Sequence, residues 1–297
     1  MKAIETSQLT KYYGKNRGIL NLNLEVEEGD VFGFIGPNGA GKSTTIRTLL
    51  NFLFPSGGSA RVFGLDIVRD SKEIRKIIGY VPSEVNYYGD MTVMELLRYS
   101  ASFYPNCPAA RANELVERFE LNPGRKFGEL SHGNKKKVAI IQALLHKPRL
   151  LILDEPTSGL DPVMQNVFFD LLREENQRAT IFFSSHVLSE VQKMCNRIAI
   201  IKQGMVLKVE RIDDLRKRQF KSVTVEFAEP DAVLEIEGMI KTEKWGNVQK
   251  FFFNGEMKNL LYALSHHDVH NVLIEEPSLE EIFMHCYENT LETADAR

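Results

Sequence analysis

The stretch Gly36-Pro37-Asn38-Gly39-Ala40-Gly41-Lys42-Ser43 constrains the fold more than any other part of the chain. It fits the pattern G-x-x-x-x-G-K-[ST], in which glycines let backbone N–H groups converge on phosphate oxygens. A lysine neutralises the phosphate charge, and a hydroxyl reaches a divalent cation. The flanks favour that reading over a flexible turn with an exposed lysine. Val31 to Ile35 is an apolar run with the texture of a buried strand, and Ile46, Leu49, Leu50 and Leu53 recur at helical spacing through 44–54, up to Pro55. A helix opening at Gly41 brings the positive end of its dipole to the same anion. The residues expected at the phosphates are Gly36, Asn38, Gly39, Gly41, Lys42, Ser43 and Thr44, with Ser43 also reaching the cation.

A second constellation follows downstream. The apolar run Leu150 to Leu153 delivers Asp154 and Glu155 to its carboxyl end, the edge at which open α/β sheets bind ligands. Such a pair divides the labour, Asp154 holding the cation and Glu155 polarising an attacking water, although Asp-Glu-Pro after a strand also reads as a plain polar turn. One strand further on, Thr180 to Ser184 places His186 at the same edge, within reach of a terminal phosphate or that water.

Strand and helix patterns alternate through Val163–Glu175, Val187–Cys195 and Arg197–Ile201, which implies a mostly parallel sheet covered on both faces. Ser71–Ile77 reads as a helix leading into a strand that ends at Val81. From Thr92 to about Pro148 the pattern is mostly helical, an insertion spanning about residues 84–148. Up to Glu210 the chain carries 27 Lys+Arg against 23 Asp+Glu, and beyond it 10 against 17. That shift supports a boundary between a domain of residues 1–210 and a second of 211–297. The second reads as a small α+β unit, with strands at Val223–Phe227, Val248–Phe253 and Val269–Ile274, a helix over Glu256–His266, and a last helix opened by Ser278 with Glu281 three residues on.

Neither half is basic enough for a nucleic-acid backbone to be the partner. Cys107, Cys195 and Cys286 are too far apart for a zinc site or a disulfide framework. No apolar run approaches the ~18 residues that cross a bilayer, and the first ten residues lack an apolar signal region, so a cytoplasmic location is expected.

Over about residues 1–210 these motifs, in this order and spacing, resemble the nucleotide-binding subunits of ATP-binding cassette (ABC) transporters. The resemblance implies that Gly36–Ser43 is Walker A, that Leu150–Asp154 is Walker B with Glu155 as catalytic base, and that His186 is the switch histidine. Ser158-Gly159-Leu160-Asp161 becomes the D-loop, with Asp161 at the nucleotide. Tyr13 is implied as the adenine-stacking aromatic, with Tyr12 as the second candidate. Leu130-Ser131-His132-Gly133-Asn134 stands where the family carries Leu-Ser-Gly-Gly-Gln, so Ser131 and Gly133 would contact ATP held by another subunit. Ser83 takes the place of the family's magnesium-linked glutamine. The run Lys135-Lys136-Lys137 reads as a solvated helix face, and Tyr87, Tyr88 and the helix after Thr92 as the surface that grips a membrane partner.

The fold so implied is α/β, a P-loop NTPase of ABC type with an inserted helical subdomain and a small C-terminal α+β domain. ATP and Mg2+ are the implied cofactors, and a separate transmembrane permease subunit is the implied partner. The cassette would work as a homodimer or a heterodimer, peripheral on the cytoplasmic face of a membrane. The part after Ile212 is similar to the C-terminal extension of some bacterial drug, peptide or lipid exporter subunits. The alternatives are a soluble ABC ATPase with a non-transport role and a regulatory ATP-binding subunit.

Overall fold

The structure, a computed structural model, describes residues 1–105, 107–108, 110–216 and 221–276. The chain forms two units, divided between Arg211 and Ile212. The first opens with β1 (Lys2–Tyr13), β2 (Asn16–Glu27) and β3 (Val31–Ile35), followed by α1 (Lys42–Leu49), β4 (Gly57–Val62), β5 (Leu65–Asp66), α2 (Ser71–Ile77) and β6 (Ile78–Val81). Three helices then come in succession: α3 (Val93–Ala101), α4 (Arg111–Arg118) and α5 (His132–Leu144). The α/β alternation resumes with β7 (Leu150–Asp154), α6 (Pro162–Asn176), β8 (Thr180–Ser185), α7 (Leu188–Met194), β9 (Arg197–Lys202) and β10 (Met205–Arg211).

Two sheets result. The six-stranded one runs β10-β9-β3-β8-β7-β6, parallel except for the edge strand β10. All five residues of β3 and of β7 are buried, as a strand covered on both faces requires. Phe182 of β8 is fully buried, stacked on Phe32 at 5.9 Å and tilted against Phe34 at 5.3 Å. The second sheet, β2-β1-β4-β5, is antiparallel. Its strand β1 has no counterpart in the sequence reading, because its alternation is broken by register shifts on either side of Leu9 and by Gln8 at φ 48°.

Helix α1 is shorter than the spacing of leucines implies. It stops at Leu49, Asn51 turns left-handed at φ 54°, and the N–H groups of Phe52 and Leu53 fold back onto the Arg47 carbonyl. Leu53 therefore belongs to the turn that follows, six residues before the strand pairing of Ser59. Helix α3 is opened by a capping box between Thr92 and Glu95.

The second unit comprises α8 (Ile212–Arg216), β11 (Lys221–Phe227), β12 (Met239–Trp245), β13 (Val248–Phe253), α9 (Met257–Leu264) and β14 (Val269–Glu275). Its antiparallel sheet runs β12-β13-β11-β14, with Val223, Val225, Phe227, Phe251, Phe253 and Leu260 in the core. Strand β12 is exposed along Lys241–Trp245, so it lacks the half-buried alternation that marks its neighbours. The helix expected from Ser278 lies outside the described residues.

Phe182→Ala should lower the unfolding free energy of the first unit by about 3–5 kcal/mol in urea, followed by circular dichroism, as aromatic truncation in a closed core does. A loss below about 1 kcal/mol would mean that the sheet is not packed as described.

Candidate functional site

The parallel sheet fixes the address of the site. Ile35 pairs with Ser185, Asp154 with Ser184 and Val81 with Leu153, so β3, β8, β7 and β6 end at one edge. The Gly36–Ser43 loop, the Asp154-Glu155 pair, His186 and the Pro82-Ser83 turn all begin where those strands stop. Gly36 is required there because a Cβ would lie 2.4 Å from the Ile201 carbonyl oxygen, and Gly41 because the chain enters α1 at φ 107°. Pro37, Asn38 and Gly39 are exposed at the tip, while Ser43 and Thr44 open the helix.

The Lys42 side chain is buried and folds back over its own loop. Its Nζ donates to the Gly36 carbonyl at 2.6 Å and the Pro37 carbonyl at 3.2 Å, and it lies 3.3 Å from Glu155 Oε1. Glu155 Oε2 in turn accepts from His186 Nδ1 at 2.6 Å, since a carboxylate oxygen can only accept. Glu155 is thus clasped between a lysine and a histidine from different loops, with its own backbone left-handed at φ 49°. His186 is half exposed, and its contact within the chain is to Glu155.

Asp154 is fully buried. Burial pushes its carboxyl above the usual range, an effect that the nearby hydroxyls of Ser43 and Ser184 and the charge of Lys42 offset in part. Oδ1 accepts from Ser184 Oγ at 3.2 Å, whereas Oδ2 is buried without a hydrogen-bond partner. A buried carboxylate oxygen facing a serine hydroxyl at a helix N-terminus is a donor set suited to a hard divalent cation. Ser83 enters the site through its carbonyl, which accepts from Lys136.

The other expected residues take the following places. Tyr13 ends β1 beside α1, its hydroxyl 3.3 Å from Thr44 Oγ1 and Lys11 Nζ 5.9 Å from its ring, and its face is exposed. Tyr12 bonds through its N–H to Ser56. Ser131 is the N-cap of α5, accepting from the Asn134 N–H, and Asp161 is the N-cap of α6, accepting from the Met164 N–H. Gly133 faces the D-loop so closely that a Cβ would lie 2.3 Å from the Gly159 carbonyl oxygen, and His132 packs over Gly159.

The lysine run after Leu130–Asn134, the signature segment, is not a solvated face. Lys136 is wholly buried and Lys137 nearly so. Lys136 Nζ donates to the carbonyls of Pro82 at 2.9 Å, Ser83 at 2.8 Å and Glu155 at 3.2 Å. Burial pulls its pKa down to about 8 against the opposing pull of Asp154 and Glu155. Lys137 Nζ donates to the Phe119 carbonyl at 3.1 Å. A signal was present in the sequence: Lys136 stands one turn before Ile140 and two before Ala143, both in the core. Ser184 also contributes, through Asp154 Oδ1, although the sequence pattern presents it only as the last residue of an apolar strand.

The raised Asp154 carboxyl carries a sign. The stability this group contributes is complete below the ordinary carboxylate range and is lost as pH rises through the raised value. At neutral pH in magnesium-free buffer, Asp154→Asn should therefore raise the melting midpoint, and the gain should vanish below about pH 4. A midpoint lowered at neutral pH would contradict the burial argument.

A model of the ABC transporter family matches residues 19–158. The bacitracin transport ATP-binding protein BcrA of Bacillus licheniformis is 35% identical over 295 residues, covering 95% of this chain and 96% of that protein. The Nod factor export ATP-binding protein I of Rhizobium etli is 36% identical over 221 residues, 72% of this chain and 70% of that one. Among solved structures, the dimeric structure of a bacterial ABC transporter cassette superposes with a TM-score of 0.65 at 26% identity, over 70% of this chain and 98% of that one. With the motif order, the sheet topology and these likenesses together, the chain belongs to the ABC transporter family as one of its ATP-binding, ATP-hydrolysing subunits.

Proposed function

We propose that this subunit binds Mg·ATP on the Gly36–Thr44 loop, hydrolyses it with Glu155 as general base, and passes the resulting opening and closing to a transmembrane permease that exports its cargo. The observation that carries the proposal is the clasp on Glu155, with Lys42 at one carboxylate oxygen and His186 at the other, on the edge shared with the phosphate loop. In that position Glu155 orients the attacking water and takes its proton. The His186 N–H keeps the carboxylate turned toward the loop, and Lys42 with the loop N–H groups stabilises charge gathering on the phosphate oxygens. Ser43 and Asp154 would hold Mg2+, whose charge offsets that of the phosphates, with Ser83 a further oxygen nearby. Tyr13 suits adenine stacking better than Tyr12, because its hydroxyl lies 3.3 Å from Thr44 Oγ1 at the start of α1.

Ser131 and Gly133 open α5, where a helix N-terminus presents N–H groups to an anion. Together with Asp161 they would complete the nucleotide site of a second cassette, of like or different sequence, in a head-to-tail dimer. The dimeric cassette to which this chain is similar supports that assembly.

For the permease, a cavity of about 600 Å³ lies between the loop after β6 and α3. Tyr88, Tyr99 and Phe103 form an exposed edge-to-face series along it, while Tyr87 turns inward against Phe127. Gln142 Oε1 is buried in its wall without a hydrogen-bond partner, so an incoming segment with a donor would satisfy it. A subunit held there would lie peripherally on the membrane. The relative named for Nod factor export supports export as the direction.

Glu155→Gln should retain ATP binding, slow hydrolysis by at least ~100-fold and accumulate a closed dimer on gel filtration; unchanged turnover would refute the base assignment. His186→Ala should cost a similar factor, and a near-normal rate would reduce that residue to a structural one. Phe103→Asp should abolish co-purification with the permease while ATP affinity stays within about threefold. Retention of the permease would remove the docking surface.

A further inference from the structure

The buried ammonium group of Lys136 lies at the site, yet ATP binding, the cation and the base leave it no task. We infer that Lys136 is a positioning residue for hydrolysis, its ammonium group pinning the main chain of Glu155 to helix α5 and to the Pro82-Ser83 turn. The inference rests on Glu155 being the base.

Three observations support it. A buried ammonium is costly unless each of its three protons finds an acceptor, and Nζ has three carbonyl oxygens at 2.8, 2.9 and 3.2 Å. Those acceptors are main-chain groups of two different segments, one after β6 and one after β7, so the side chain acts as a junction rather than as half of an ion pair. The Glu155 backbone is also the part of the site most in need of fixing. At φ 49° it sits in the left-handed region, which a residue with a Cβ occupies only when its surroundings hold it there.

Three hydrogen bonds hold the main chain of Glu155. The Glu155 N–H donates to the Ser184 carbonyl at 3.0 Å. Its carbonyl accepts from the Ser158 N–H at 3.3 Å and from Lys136 Nζ at 3.2 Å. Ser184 and Ser158 belong to β8 and to the D-loop. Lys136 alone among these brings α5, the helix that Ser131 caps and whose first turn holds Gly133. Lys136 is thus the direct side-chain link from α5 to the Glu155 main chain, beside the longer path from Gly133 through Gly159 and Ser158, and a carboxylate displaced by a fraction of an ångström loses its line to the water.

The experiment is a mutant cycle on the full chain, reading steady-state Mg-ATPase, ATP affinity and thermal melting. Lys136→Met keeps the length and removes the donors. Its kcat should fall roughly 10- to 100-fold while ATP affinity stays within about threefold. Lys136→Gln, with two donors for three carbonyls, should recover part of that loss. In the Glu155→Gln background, Lys136→Met should change the residual rate by less than about twofold, because its effect runs through Glu155. A kcat within twofold of wild type in Lys136→Met would overturn the inference, as would an equal loss in the Glu155→Gln background. Should Lys136→Met fail to fold, a wild-type kcat in Lys136→Gln overturns it instead, and a reduced kcat at unchanged affinity supports it. An unchanged rate in Glu155→Gln alone would remove the base assignment and this inference together; a loss there beside a wild-type Lys136→Met removes only this one.

Discussion

Ionised groups drawn out of water need partners, and the mouth of the parallel sheet gathers them within one small volume. Lys42, Lys136, Asp154 and Glu155 are all buried or nearly so. None could remain there alone, because a buried charge without a counter-charge or hydrogen bonds is strongly disfavoured. Lys42 uses two loop carbonyls and Glu155, Glu155 uses Lys42 and His186, and Lys136 uses three carbonyls. The loops, the helix start and the strand ends are held in register by this mutual need. Asp154 is the exception, with one oxygen left unpartnered in a buried place, and it is also the group best suited to a divalent cation.

Close backbone approach is the second requirement. Gly36 lets the Gly36–Ser43 loop pass against Ile201 of β9, and Gly133 lets the start of α5 touch Gly159. These contacts bring segments far apart in sequence to within van der Waals distance without any side chain between them. The Leu130–Asn134 segment, the Ser158–Asp161 loop and Glu155 are therefore one packed assembly within the chain. A second cassette closing on the signature segment would press on the same group of atoms that holds Glu155.

Much of this was legible from the residues because its chemistry is written in contiguous motifs beside apolar runs. Gly36–Ser43 follows β3, Asp154-Glu155 follows β7 and His186 follows β8, so strand texture gave the edge and the motif gave the chemistry. What escaped depends on contacts across long separations. Lys136 looks solvated beside Lys135 and Lys137, yet its acceptors lie 53, 54 and 19 residues away. Strand β1 hides its alternation behind irregular pairing, and β12 lies mostly exposed. Helix α1 ends at Leu49 although leucine spacing continues, because a left-handed Asn51 turns the chain before Leu53 can take its place. Periodicity reports which face is apolar; it does not report where a turn intervenes.

The central claim is that a triphosphate and a divalent cation are gripped together, by the loop amides and Lys42 on one side and by Ser43 and Asp154 on the other. Isothermal titration of the purified full chain with ATP, in excess magnesium and again in excess chelator, tests it most directly. The account predicts one nucleotide per chain, bound at least ~10-fold more tightly with magnesium, a gain of about 1.4 kcal/mol or more. Equal affinity under both conditions, or no nucleotide binding by the folded chain, would contradict it.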